Sequence, residues 1–194
     1  MLRMLWFLVA LLELLMLSGE SERSLFNYAM VEIFEHEGGL CDHPKDPGGL
    51  TNLGICLRAY PKLGREGIIN MTKEKASELY WKDYWKRTIQ PWMYEAFPCT
   101  CIMLIDCAVN QGVSAAIKLF QQAVGATADG VIGNITKRKA LGFSDATLCD
   151  SVCALRALRY ANTKNRDTFL RGWFNRLTSV HRWSIMYNAT AYDS

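Results

Sequence analysis

His36-Glu37-Gly38-Gly39-Leu40-Cys41-Asp42-His43-Pro44-Lys45-Asp46-Pro47-Gly48-Gly49-Leu50-Thr51-Asn52-Leu53-Gly54-Ile55 is the stretch on which the reading of the chain turns. Upstream, Phe26, Met30, Ile33, Phe34 and Glu37 recur at three- and four-residue steps, the apolar stripe of an amphipathic helix over about 24–37. Ser24 is a fair N-cap and Gly38-Gly39 a fair C-terminal stop. From Leu40 to Ile55 the chain is too rich in Gly, Pro and Asp for helix and reads as turns with a short hairpin. Glu37 therefore ends a helix on its apolar face, directly before a tightly turning loop.

Working outward, helical patterns dominate. Thr72 caps a helix running to about Arg87, with Ala76, Leu79, Tyr80 and Tyr84 facing inward, and Gln90-Pro91 ends it. Cys101 to Gln111 is so apolar that it reads as a buried central helix. Further helices are expected at about 114–124, from Asn134, at 145–161 and at 168–187. Alternating strand patterns are scarce. The expected fold class is mainly α, with a small β-hairpin or turn element near residues 40–56. The Gly125–Gly133 turn is the natural place for a subdomain division, giving 21–125 and a helical 126–194 packed on it.

The 194 residues leave room for one domain, or one with a small appendage. A chain that is 50% hydrophobic and 21% charged is globular, not disordered. The net charge of +3 conceals an asymmetry: from Lys137 to Arg182 there are ten basic residues against three acids. Such a half can face an anionic polymer, or can simply be solvated helix surface. The seven cysteines have no zinc-ligand spacing and are too few for a disulfide scaffold, so most are expected to be buried thiols, and neither metal nor cofactor is expected. Met1 to Leu17 has a basic residue at Arg3, a long apolar run and a small, polar sequel. Residues 1–20 thus have the order of a signal peptide or signal-anchor, implying a secreted or periplasmic protein with membrane association through residues 1–17.

The opening stretch carries acid–base chemistry. A carboxyl on an apolar stripe at the negative end of a helix is expected to retain its proton, as a general acid acting on a glycosidic oxygen requires. Such chemistry needs a second carboxylate across the scissile bond. Asp46 is the first choice and Asp42 the alternative. Thr51 could position a water, and His43 could hydrogen-bond one of the carboxylates. The ordinary alternative is a solvated helix end followed by a common Asp-Pro-Gly-Gly turn.

Glu37-Gly38-Gly39, Pro44-Lys45-Asp46-Pro47-Gly48-Gly49, Thr51-Asn52 and Gly54-Ile55 closely resemble the glutamate-glycine-glycine motif of glycoside hydrolase family 108. These are lysozyme-like muramidases of the phage-endolysin and secretion-activator type. The likeness continues through Asp106-Cys107-Ala108-Val109-Asn110-Gln111-Gly112, Gln121-Gln122-Ala123-Val124-Gly125 and Asp129-Gly130-Val131-Ile132-Gly133. It ends in Phe169-Leu170-Arg171-Gly172-Trp173, in a region similar to the family's predicted peptidoglycan-binding part. The resemblance implies a lysozyme-like α fold, hydrolysis of the β-1,4 bonds of peptidoglycan glycan strands, and Glu37 as catalytic acid. The Glu37–Asp46 spacing resembles the Glu–Asp–Thr arrangement of phage lysozymes. Thr51 falls one residue short of that arrangement, where Asn52 sits. Leu40 and His43 also depart from the pattern, which often has an aromatic residue and Asp there.

Aromatic side chains suit a sugar polymer. Tyr80 and Tyr84 belong to the inward stripe, leaving Trp81 and Trp85, with Trp92, as candidate contacts. Asp106 and Asn110, four apart on an apolar helix, read either as a satisfied buried polar pair or as substrate contacts through Asn110. The expected partner is the glycan strand, engaged by a monomer. The alternative is a non-catalytic peptidoglycan-binding or export-assisting protein on the same fold. Nucleic acid is not an expected partner, because no helix-turn-helix or aromatic RNA-binding motif accompanies the basic half.

Overall fold

The computed structural model describes residues 21–42, 49–164 and 166–191. The segment read as a signal peptide or anchor, and residues 43–48 with His43 and Asp46, lie outside the described residues. The first helix, α1, covers residues 21–36. Its inward face is Leu25, Phe26, Ala29, Met30 and Ile33, all buried. Next is a two-stranded antiparallel sheet, β1 (Thr51–Asn52) and β2 (Ile55–Cys56), joined by Leu53-Gly54. Both turn residues have positive φ, 49° and 75°, the requirement of the tight hairpin turn whose twist matches the strands. A further bridge pairs Cys41 with Thr51. The hairpin expected near residues 40–56 is therefore present.

Two connections fix this hairpin. The Leu53 N–H donates to the Gly38 carbonyl at 3.1 Å, tying the turn to the end of α1. Asn52 Nδ2 reaches the carbonyls of Ile68 and Ile69 at 3.1 and 3.2 Å, the last residues of α2 (Gly64–Ile69). Helix-end carbonyls run short of partners within their own helix, so the amide caps α2 from across the fold. Asn52, expected as a substrate contact, is buried in this bridge and braces the hairpin.

After α2 comes α3 (Lys73–Tyr80), capped by Thr72 accepting from the Lys75 N–H. It runs into a π-helical turn, Trp81–Trp85, and then α4 (Lys86–Thr88). The extra residue of the π turn rotates the side chains that come after it about the helix axis. Trp85 swings into the core and is completely buried, its indole N–H donating to Glu22 at 2.8 Å, while Tyr84 is only half-buried. The simple α register that left Trp85 open fails at this point.

The short α5 (Pro91–Ala96) leads to α6 (Pro98–Gln111), the axis of the molecule. Every residue from Cys99 to Ala108 is buried, because α7 (Val113–Ala123), α9 (Asp145–Ala161) and α10 (Arg166–Ala191) all pack on it. The short α8 (Asn134–Ala140) lies between α7 and α9 in the chain. Four of the seven cysteines are buried, and burial pushes the Cys107 thiol up to about 11. Among the described residues no helix is long and apolar enough to cross a membrane.

The start of α6 has no cap of its own. Asp145, the first residue of α9, supplies one, accepting from the Cys99 N–H at 2.8 Å and from the Thr100 N–H at 2.9 Å. A carboxylate at a helix N-terminus satisfies orphan donors and meets the positive end of the dipole. Asp145→Ala should lower stability by about 1–2 kcal/mol in urea denaturation with little change in far-ultraviolet circular dichroism.

Candidate active site

Glu37 comes directly after the last residue of α1, and its N–H still closes a helical bond to the Ile33 carbonyl at 3.1 Å. Its side chain is 17% exposed. The carboxyl lies over the hairpin turn. A Cβ at Gly54 would stand 2.7 Å from Glu37 Oε2 and 2.1 Å from the Tyr80 hydroxyl, and Gly54 has φ +75°. Only glycine allows the backbone to pass so close beneath the acid. Tyr80 is buried, and its hydroxyl donates to the Leu53 carbonyl at 3.1 Å. Burial first, then the neighbouring Glu37 charge, pushes this phenol far above its ordinary value, so it stays a neutral donor.

The other side of the acid is a cation. Arg176, on α10, donates from Nη1 to Glu37 Oε1 at 2.9 Å. On this side of Glu37 a guanidinium stands where the sequence led us to expect an apolar wall. Arg176 is itself held from beneath. Its Nε donates to Asp106 Oδ1 at 2.9 Å, and its Nη2 lies 2.7 Å from the same oxygen. Asp106 Oδ2 accepts from Arg156 Nη2 at 2.6 Å, and both Asp106 and Arg156 are completely buried. Arg156 also contacts Met103, through its carbonyl at 3.4 Å and its sulfur at 3.0 Å. The Tyr160 hydroxyl donates to Asn110 Oδ1 at 2.6 Å and lies 3.3 Å from Arg156 Nη2. Burial pushes the Asp106 carboxyl up, but the two arginine charges and their hydrogen bonds outweigh it and hold the group below the usual carboxylate range.

Several sequence expectations change here. Asp106 and Asn110 are not paired with each other: Asp106 bonds two arginines and Asn110 bonds Tyr160. Arg156 and Arg176, counted with the basic half, are buried and cannot face a polymer as free surface charge. Trp85 is in the core, and Trp81 stacks on it at 5.9 Å with Arg23 and Lys86 against its ring, each at 4.6 Å. Trp85 has no face left for a sugar, and one face of Trp81 is taken by Trp85. Thr51 is half-buried and its hydroxyl donates to the Gly49 carbonyl at 3.1 Å, closing the local turn. Arg176 and Tyr80 are the site residues that sequence reasoning missed. The one available signal was Asp106 itself, since a carboxylate inside CIMLIDCAVNQ requires a buried cation somewhere in the chain.

An acid at a helix end, above a short hairpin and against a central buried helix, defines a lysozyme-like protein. Comparison with known proteins agrees. The family model described as Glycosyl hydrolase 108 matches residues 30–112, and that described as Predicted Peptidoglycan domain matches residues 115–178. A solved structure, titled "Structure of Brucella abortus SagA", is similar at 30% identity with a TM-score of 0.73, covering 84% of this chain and 95% of that one. No curated protein matches. The chain belongs to glycosyl hydrolase family 108 and is a glycosidase carrying a peptidoglycan domain.

The buried ion cluster makes a stability prediction. Replacing Asp106 by Asn leaves two buried guanidinium groups short of their counter-charge and should cost roughly 3–5 kcal/mol at pH 7. Because the folded-state pKa of Asp106 is depressed, its contribution is present above the unfolded carboxylate value of about 3.9 and is lost as pH falls through the folded value. Urea titrations should therefore show the wild type losing more stability than Asp106→Asn between about pH 5 and pH 2.

Proposed function

We propose that the protein is an N-acetylmuramidase, a lysozyme that hydrolyses the β-1,4 bonds of peptidoglycan glycan strands with Glu37 as general acid. The observation that carries this reading is the seating of Glu37: a helix-end carboxyl, mostly shielded, held on Oε1 by Arg176 and lying over a glycine turn. Pre-positioning of this kind is what a proton donor to a leaving oxygen needs. Asp46 is the second carboxylate in this proposal, with Thr51 positioning the attacking water and His43 hydrogen-bonding one of the carboxylates. The hairpin carrying Gly54 forms the floor on which the strand lies. Tyr84, whose phenol is raised by burial and by the charges of Asp83, Cys56 and Glu37, lines the same wall.

The C-terminal helices act as the peptidoglycan-binding part of one body with the catalytic region, since α10 supplies the arginine that holds the acid. The enzyme works outside the cytoplasm, where its substrate is, after export by residues 1–20. It acts as a monomer.

Glu37→Gln should reduce clearing of purified wall suspensions by roughly 10²–10⁴-fold while keeping the thermal transition of a folded protein. Digests by the wild type should carry new reducing ends on N-acetylmuramic acid, read by mass spectrometry after borohydride reduction. New ends on N-acetylglucosamine would assign the other glycosidic bond, and undiminished clearing by the variant would remove Glu37 as the acid.

Gly54→Ala tests the floor separately. Its methyl group would displace Glu37 and Tyr80 from the positions that the close approach requires. The same assay should show a loss of about 10²-fold, the scale expected of a displacement near ~1 Å at a catalytic group.

A further inference from the structure

The hydrogen-bonded chain that starts at Glu37 does not stop at Arg156. It continues through Tyr160 to Asn110, and there it meets a cavity of about 210 Å³ lined by Asn110, Gln111, Arg159, Tyr160, Thr163 and Trp173. Asn110 lies four residues beyond Asp106 on α6, and Trp173 three residues before Arg176 on α10. The cavity is thus one helical turn, ~5.4 Å along both helices, from the pair that holds the catalytic acid. Arg159 and Thr163 also line a second, larger groove between α7 and α9, of about 610 Å³, together with Lys118, Gln122, Leu155 and Leu158. The two cavities share Arg159 and Thr163 as a common wall.

Their chemistry is one-sided. No acidic residue lines either cavity among the described residues. Arg159 is exposed and has no ion-pair partner among them. The Gln111 side-chain N–H₂ is buried without an acceptor. The aromatic rings, by contrast, are already engaged: Trp173 stacks on Tyr160 at 5.2 Å and 19°, and Phe169 packs against it at 5.7 Å. A sugar ring wants a free aromatic face, and the stacking leaves less of one here. A peptide that carries carboxylates wants a cation, amide donors and room for apolar side chains, all of which are present.

We propose that these joined cavities bind the acidic stem peptide of peptidoglycan, with Arg159 pairing a peptide carboxylate, the exposed Asn110 meeting a peptide amide, and Lys118 adding charge farther along. This rests on the reading of the protein as a muramidase.

Two measurements separate this proposal from that reading. The first is binding, which needs no catalysis: calorimetric titration of the full-length Glu37→Gln protein with a synthetic acidic stem tetrapeptide, and with the same peptide carrying amidated carboxylates. The acidic peptide should bind about tenfold more tightly, the difference should shrink as salt rises, and adding Arg159→Glu should remove it. The second is turnover by the wild type on glycan strands bearing stem peptides and on strands stripped of them by an amidase. The ratio of kcat/KM for the two should be about tenfold, carried mainly in KM, and should fall towards one in Arg159→Glu. Equal binding of the two peptides, or a ratio near one in the wild type, overturns the proposal even if the glycan is cleaved. Tight, charge-dependent peptide binding by a protein that cleaves no glycan upholds it and removes only the muramidase reading.

Discussion

A carboxylate buried at zero exposure in the middle of the most apolar helix must be neutralised or the helix cannot be buried there. Asp106 is that group, and two guanidinium groups meet it, Arg156 from α9 and Arg176 from α10. Neither arginine could stand alone in that position, and neither could the aspartate. The cluster therefore links three helices through charge, and links them in one register only. Arg176 has a hydrogen remaining after it bonds Asp106, and it gives that hydrogen bond to Glu37. The placement of the acid is a consequence of how the core is neutralised.

The same logic joins the two regions recognised by separate family models. The boundary between the matched segments falls near Gly112, yet the side chain that positions Glu37 comes from residue 176. Splitting the chain there would leave Asp106 without its cations and Glu37 without its partner. The C-terminal helices are part of the structure that seats Glu37, and the cavities they line carry a different kind of chemistry, free of acids among the described residues.

Much of the fold was legible because the responsible signals are local. The apolar stripe of α1, the Thr72 cap, the Gly-rich hairpin and the unbroken apolar run of α6 each encode an element within a few residues. Glu37 was legible for the same reason: it ends a stripe and precedes two glycines. The tryptophans were misread because a π turn between Tyr80 and Lys86 shifts the inward face by one residue, and no periodicity based on ~3.6 residues per turn reveals that. The bracing role of Asn52 was not legible because the backbone carbonyls it caps, Ile68 and Ile69, are sixteen and seventeen residues away.

By itself, then, the sequence determined the main element types, an acid at a helix end before a glycine-rich turn, and an Asp106 that demands a counter-charge once its helix is buried. The tertiary structure alone decided which two of the ten basic residues between Lys137 and Arg182 would answer that demand, and that one of them would also hold Glu37. The physical reason is distance along the chain. Glu37 and Arg176 are separated by 139 positions, and only the packing of α9 and α10 on α6 brings their charges within 2.9 Å.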